Sequence, residues 1–141
     1  MKEEKDLERF IAAQETAYEM ALAEIKSGRK QSHWMWYIFP QIAGLGFSST
    51  SKFYAIKDRQ EAEAYLRHPI LGARLIEISA VLLEIEGKTA YQIFGSPDDL
   101  KLKSSMTLFG SLENTDPVFE KVLDKYFAGA RDMQTLELLD A

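Results

Sequence analysis

Gln14, Arg74, Asp98, Lys101 and Ser105 are polar residues at positions where helical periodicity places apolar ones. At about 100° per residue, Gln14 falls inside the stripe formed by Leu7, Phe10, Ile11, Tyr18 and Ile25. Arg74 falls among Leu71, Ile78, Val81 and Ile85. Asp98, Lys101 and Ser105 share the side of a third helix that carries Leu102, Phe109 and Leu112. An inward charge is costly unless a neighbour or a ligand matches it. With a ligand, Asp98 or His33 supplies an acid or base, while Arg74 and Lys101 hold an anionic group. Each residue also has a purely structural role open to it. Arg74 can pair with Asp98 as a strut, Gln14 can be a hydrogen-bonded buried amide, and Lys101 can form a rim pair with Asp98 at i, i+3. His33, beside a tryptophan, can be a packed ring.

The elements that must position these residues are legible from caps and stripes. Leu7 to Ile25 reads as one amphipathic helix, closed by the basic end Lys26, Arg29, Lys30 and a stop at Gly28. Asp58 with Glu61 caps a second helix that must end before Pro69. Ile70 to Glu86 is the clearest stripe, ended by Gly87. Thr89 with Gln92 forms a capping box for a short turn ending at Gly95. Ser96, Pro97, Asp98 and Asp99 start a further helix, Asp116 and Pro117 start another, and Asp132 caps a final one. Between the first two helices lies SHWMWYIFPQ, Ser32 to Gln41. As a helix it groups His33, Trp36 and Tyr37; as a strand it groups His33, Met35, Tyr37 and Phe39. The IAGLGFSSTSK stretch that follows reads as a loop. No segment alternates convincingly, so the expected class is all-α: one compact orthogonal helical domain, residues 1–141, of about six to eight helices, several of them short.

Composition narrows the chemistry. With 141 residues the chain can bury a sizeable core unaided. It has no cysteine, which excludes disulfides, thiol nucleophiles and thiolate metal sites, and its two histidines disfavour a histidine-rich metal centre. No metal or cofactor is expected. The charged start MKEEKDLERF and the lack of any run near the ~20 apolar residues of a membrane span point to a cytoplasmic protein with no membrane partner. A net charge of −5 with interspersed signs argues against a nucleic-acid footprint and leaves room only for a small local basic patch. There is no GxGxxG and no lysine-bearing phosphate loop.

Three stretches, SHWMWYIFPQIAGLG, YLRHPILGARL and IFGSPDDLKLKSSMTLF, resemble in sequence and order the motifs of the domain of unknown function 1810 family. The resemblance runs from DLERFIAAQ to VLDKYF and implies a small, mostly helical single domain. Many members carry the label calpastatin, which does not suit this chain, since a calpain inhibitor is a disordered repeat polypeptide. The family's eukaryotic branch is linked to folding of a translation elongation GTPase, which implies a non-catalytic, chaperone-like domain that binds a protein client. A looser similarity of arrangement, to the NADAR-type N-glycosidases, implies the alternative of a small-molecule enzyme acting on an anionic, ADP-ribose-like nucleoside. Carrying the motifs over, Trp34 and Trp36 anchor the core. The expected binding site comprises His33, Trp36, Gln41, Arg74, Asp98, Lys101, Ser104 and Ser105.

Overall fold

Leu7, Phe10, Tyr18, Leu22 and Ile25 form the buried face of a 25-residue helix, α1 (Lys2–Lys26), as their spacing requires. The computed structural model describes residues 2–140, with side chains from Asp6 to Asp140; Met1 and Ala141, the ends of the expected domain, lie outside the described residues. Gly28 stops the helix, its N–H donating to the Ile25 carbonyl at 2.8 Å. The aromatic stretch then settles as a single turn, α2 (Met35–Ile38), followed by α3 (Ser49–Tyr54). The expected six to eight helices become nine among the described residues, and α2 and α3 account for the excess. Stripe reasoning passes over such pieces because four or six residues hold too few periods, and α3 has no buried residue at all. Its start is set by Ser48, whose side chain accepts the Ser51 N–H at 3.0 Å.

The remaining helices follow their caps. α4 (Arg59–Arg67) starts at Asp58, which accepts the Glu61 N–H at 2.9 Å. α5 (Leu71–Glu84) packs on α4 closely enough that a Cβ on Gly72 would sit 2.0 Å from the Leu66 carbonyl oxygen. α6 (Ala90–Phe94) carries the full Thr89–Gln92 capping box. α7 (Asp98–Gly110) begins one residue later than Ser96 and Pro97 imply: Pro97 itself is at the cap, and Ser96 makes no capping bond. α8 (Val118–Phe127) follows, and α9 (Met133–Asp140) is capped by Asp132, which accepts the Thr135 N–H at 3.0 Å.

No strand forms among the described residues; Ile42 and Ile56 make one isolated parallel bridge that pins the ends of the segment holding α3. The fold is therefore all-α. Helix α8 packs against α5 and α7, and α5 also against α1 and α4. An aromatic chain runs through the middle: Phe10 edge-on to Tyr65 at 5.1 Å, Tyr65 to Phe109 at 5.3 Å, Phe109 to Phe119 at 5.9 Å. Of the two tryptophans expected in the core, Trp34 is fully buried and Trp36 is half-buried. The single turn of α2 decides this, since it turns Met35 and Ile38 inward and leaves Trp36 at the rim.

Candidate functional site

Glu24 shapes the site from below. Its carboxylate accepts the Gln31 and Ser32 N–H groups at 2.7 and 2.9 Å, the Ser32 hydroxyl at 2.6 Å and the Trp34 indole N–H at 3.0 Å. Burial opposes the charge, but these four donors outweigh it and hold the carboxyl down at about 2. The turn between α1 and α2 is thereby folded around one anion, and Trp34 is locked against it. Lys30 lies in the same turn, its N–H donating to the Ile93 carbonyl at 2.7 Å. Its side chain, 8 % exposed, carries the ammonium to 2.9 Å from Asp98 and 2.5 Å from the Ser32 carbonyl. The ammonium also lies 5.0 Å from the centre of the Trp34 ring.

Asp98 thus opens α7 already engaged. Its second oxygen faces Lys101 at 3.7 Å, one turn along the helix, and the Lys101 ammonium lies 5.4 Å over the Trp36 ring. Lys30, Asp98, Lys101 and Trp36 form a relay of alternating contacts from a nearly enclosed cation to a half-buried indole. Exposure rises along it, from 8 % at Lys30 to 20 % at Asp98 and 23 % at Lys101. Trp36 and Gln41 line a cleft with Ser51 and Tyr54 whose volume of about 10 Å³ suits at most one water molecule. A cleft of that size stabilises the surface around it and does not enclose a ligand.

Arg74 belongs elsewhere. Its guanidinium donates to the Gln14 side-chain oxygen at 3.4 Å and lies 5.1 Å over the Tyr18 ring. The Gln14 amide in turn donates to the Tyr37 carbonyl at 2.8 Å and to the Tyr65 hydroxyl at 3.0 Å. The single Tyr18 hydroxyl proton is shared between the Glu77 carboxylate and the Arg74 carbonyl, 3.1 Å away. Burial, and for Tyr18 the nearby Glu77 carboxylate, push both phenols well above their ordinary value, so both stay neutral, Tyr18 as a donor and Tyr65 as the acceptor of the Gln14 amide. Arg74 and Asp98 form neither a strut nor one shared site: they fall in two separate networks, because α1 offers Arg74 an amide and an aromatic face while Asp98 is taken by two lysines.

The remaining expected site residues disperse. His33 is exposed. Ser104 is buried, and its one hydroxyl proton is shared between the Leu100 carbonyl at 3.2 Å and Asp132 at 3.3 Å, tying α7 to the start of α9. Ser105 is fully buried and its hydroxyl has no hydrogen-bond partner among the described residues. The structure therefore brings together Trp36, Gln41, Asp98 and Lys101 and separates them from Arg74 and Ser105. Lys30 and Glu24, which organise the site, were hidden in sequence: the first inside a basic helix end, the second on the polar face of α1. No group of three or more histidine, aspartate or glutamate side chains is placed to hold a metal ion among the described residues, and no helix there is long and apolar enough to cross a membrane.

Beside the Trp36 cleft the chain exposes large aromatics. Phe47 is 83 % exposed and Phe53 58 %, at the two ends of α3, with Gly46 seated directly against Ser51. Phe53 stacks edge-on to Tyr54 at 4.8 Å, and Tyr54 lies 5.1 Å from Tyr37. Aromatic surface thus continues from the interior out to solvent at this corner.

A family model described as "Protein of unknown function (DUF1810)" matches residues 4–139. The chain is similar to the conserved hypothetical protein Rv1873 from Mycobacterium tuberculosis, whose crystal structure superposes with a TM-score of 0.94 at 44 % sequence identity, covering 96 % of this chain and 97 % of that one. Comparison with curated proteins gives no match.

Proposed function

The chain belongs to the DUF1810 family of proteins of unknown function, and from that premise we propose that it is a non-catalytic domain that binds a segment of a protein client. The observation that carries this reading is the exposure of Phe47 and Phe53 around a helix with no fully buried residue. Covering a phenylalanine side chain is worth roughly 1.5–3 kcal/mol, and this corner leaves two of them in water. Half-buried Trp36, with Lys101 above it, supplies an adjoining anchor of the kind that dominates protein interfaces. The hydrolase reading has less support, because Asp98 is engaged by Lys30 and Lys101 while His33 stands on the surface.

The translation elongation GTPase linked to the family's eukaryotic branch is the first client to test. Purified GTPase, native and partly unfolded, is titrated against the wild-type chain and Phe47→Ser/Phe53→Ser. The double variant should bind at least about tenfold more weakly, as expected for loss of two anchors, with its thermal midpoint within about 2 °C of wild type, since exposed substitutions cost little. Equal binding by both proteins refutes the assignment of this corner.

A further inference from the structure

We propose that the cleft between the end of α1 and α6 binds a small phosphorylated molecule carrying an aromatic or heterocyclic ring, a nucleoside monophosphate being the simplest example. The cleft has a volume of about 570 Å³, within the roughly 300–1,000 Å³ of small-ligand sites. Arg29, Lys30 and Lys88 line it, and no carboxylate does. Aspartate and glutamate outnumber lysine and arginine by 22 to 17 in this chain, so two cations without an ion-pair partner, Arg29 and Lys88, beside the Asp98-paired Lys30 reverse the character of the average surface and concentrate positive potential in one concavity.

The three cations are differently employed. Arg29 is exposed; its backbone N–H donates to the Glu24 carbonyl at 3.1 Å, but its guanidinium makes no hydrogen bond or ion pair among the described residues, which leaves the whole fork for a phosphate. Lys88 gives one N–H to the Gly28 carbonyl at 2.9 Å and keeps two. Lys30 is balanced by Asp98 behind it and serves to fix the wall. Glu84 and Glu86 line the adjoining hollow, which shares Lys88 with this cleft. Ile93 and Phe94, only 1 % and 7 % exposed, form a nearly closed floor, and Tyr91, 63 % exposed, supplies the stacking face. Gly95 carries no side chain into the space, and a Cβ there would meet no atom within 4 Å. A phosphate at the basic wall places an attached ring over the floor and against Tyr91.

This cleft shares no lining residue with the Trp36 corner, so the two proposals fail independently. Calorimetric titration at low ionic strength uses AMP, inorganic phosphate and adenosine as probes. AMP should bind saturably, inorganic phosphate more weakly and adenosine most weakly. Arg29→Gln/Lys88→Gln should weaken AMP at least about tenfold, the scale of lost charge-assisted hydrogen bonds. Arg29→Gln alone, which removes no internal contact, should weaken it several-fold without altering the thermal midpoint. Lys57→Gln/Lys121→Gln, at exposed positions outside the cleft, should leave binding unchanged. Absence of saturable AMP binding at millimolar concentration, or equal losses in both double variants, overturns the site. Tyr91→Ser should weaken AMP but not phosphate; if it weakens neither or both alike, or if phosphate binds as tightly as AMP, the ring half of the proposal is overturned.

Discussion

Replacing Glu24 by glutamine keeps the shape of the residue that organises the α1–α2 turn and removes its charge. Four donors converge on that carboxylate: two backbone N–H groups, the Ser32 hydroxyl and the Trp34 indole. The carboxyl falls from its ordinary 4.5 to about 2, and at about 1.4 kcal/mol for each pH unit this is an upper bound of roughly 3.5 kcal/mol. Solvent screening at a half-buried group lowers the expected contribution to about 1–2 kcal/mol. Because the folded carboxyl is more acidic than the unfolded one, the folded state gains this stability at neutral pH, above the ordinary value. It is lost as pH falls from about 4.5 through 2, where the folded carboxylate finally takes its proton. Glu24→Gln has no such contribution to lose. Urea denaturation of the two proteins at pH 7, 5, 4 and 3 should show a gap of about 1–2 kcal/mol at pH 7 that narrows steadily below pH 4.5. A gap that is absent at pH 7, or that persists undiminished at pH 3, refutes the role given to Glu24.

The tryptophans should separate in the same assay. Trp34→Ala should cost about 3–5 kcal/mol because the ring is fully buried, whereas Trp36→Ala, at the rim, should cost under about 2 kcal/mol; equal costs refute the division between core and rim. In the second network, Arg74→Met should destabilise by about 1–2 kcal/mol by leaving the Gln14 oxygen short of a donor. The combined Arg74→Met/Gln14→Met should cost less than the sum of the two single changes, as a double-mutant cycle reads contact; strict additivity sinks the pairing.

How much was legible in the sequence depends on the range of the interaction. The starts of α4, α6 and α9 could be read from Asp58, Thr89 with Gln92, and Asp132, because a cap is a bond between residues three apart. The inward positions of Gln14, Arg74 and Asp98 were also readable, since helical phase is a local property. Their partners were not. Gln14 meets Arg74 across 60 residues and Lys30 meets Asp98 across 68, so which cation would take which acceptor waited on how α1, α5 and α7 pack.

The same distinction accounts for the single-turn α2, where local pattern left helix and strand equally open. The choice of Trp34 over Trp36 as the buried ring was made by a carboxylate ten residues away on α1 and by Phe39 and Phe94, each within 6.5 Å of it. Sequence by itself determined the all-α class, most helix boundaries and the inward phase of Gln14, Arg74, Asp98 and Ser105, though not of Glu61, Ser79 or Lys30, because periodicity and capping act within a few residues. The pairing of those residues into two closed networks, and the exposure of Phe47, Phe53 and the basic cleft, came from tertiary packing. Burial and charge matching depend on every element that reaches a given point in space, and neighbours along the chain do not specify them.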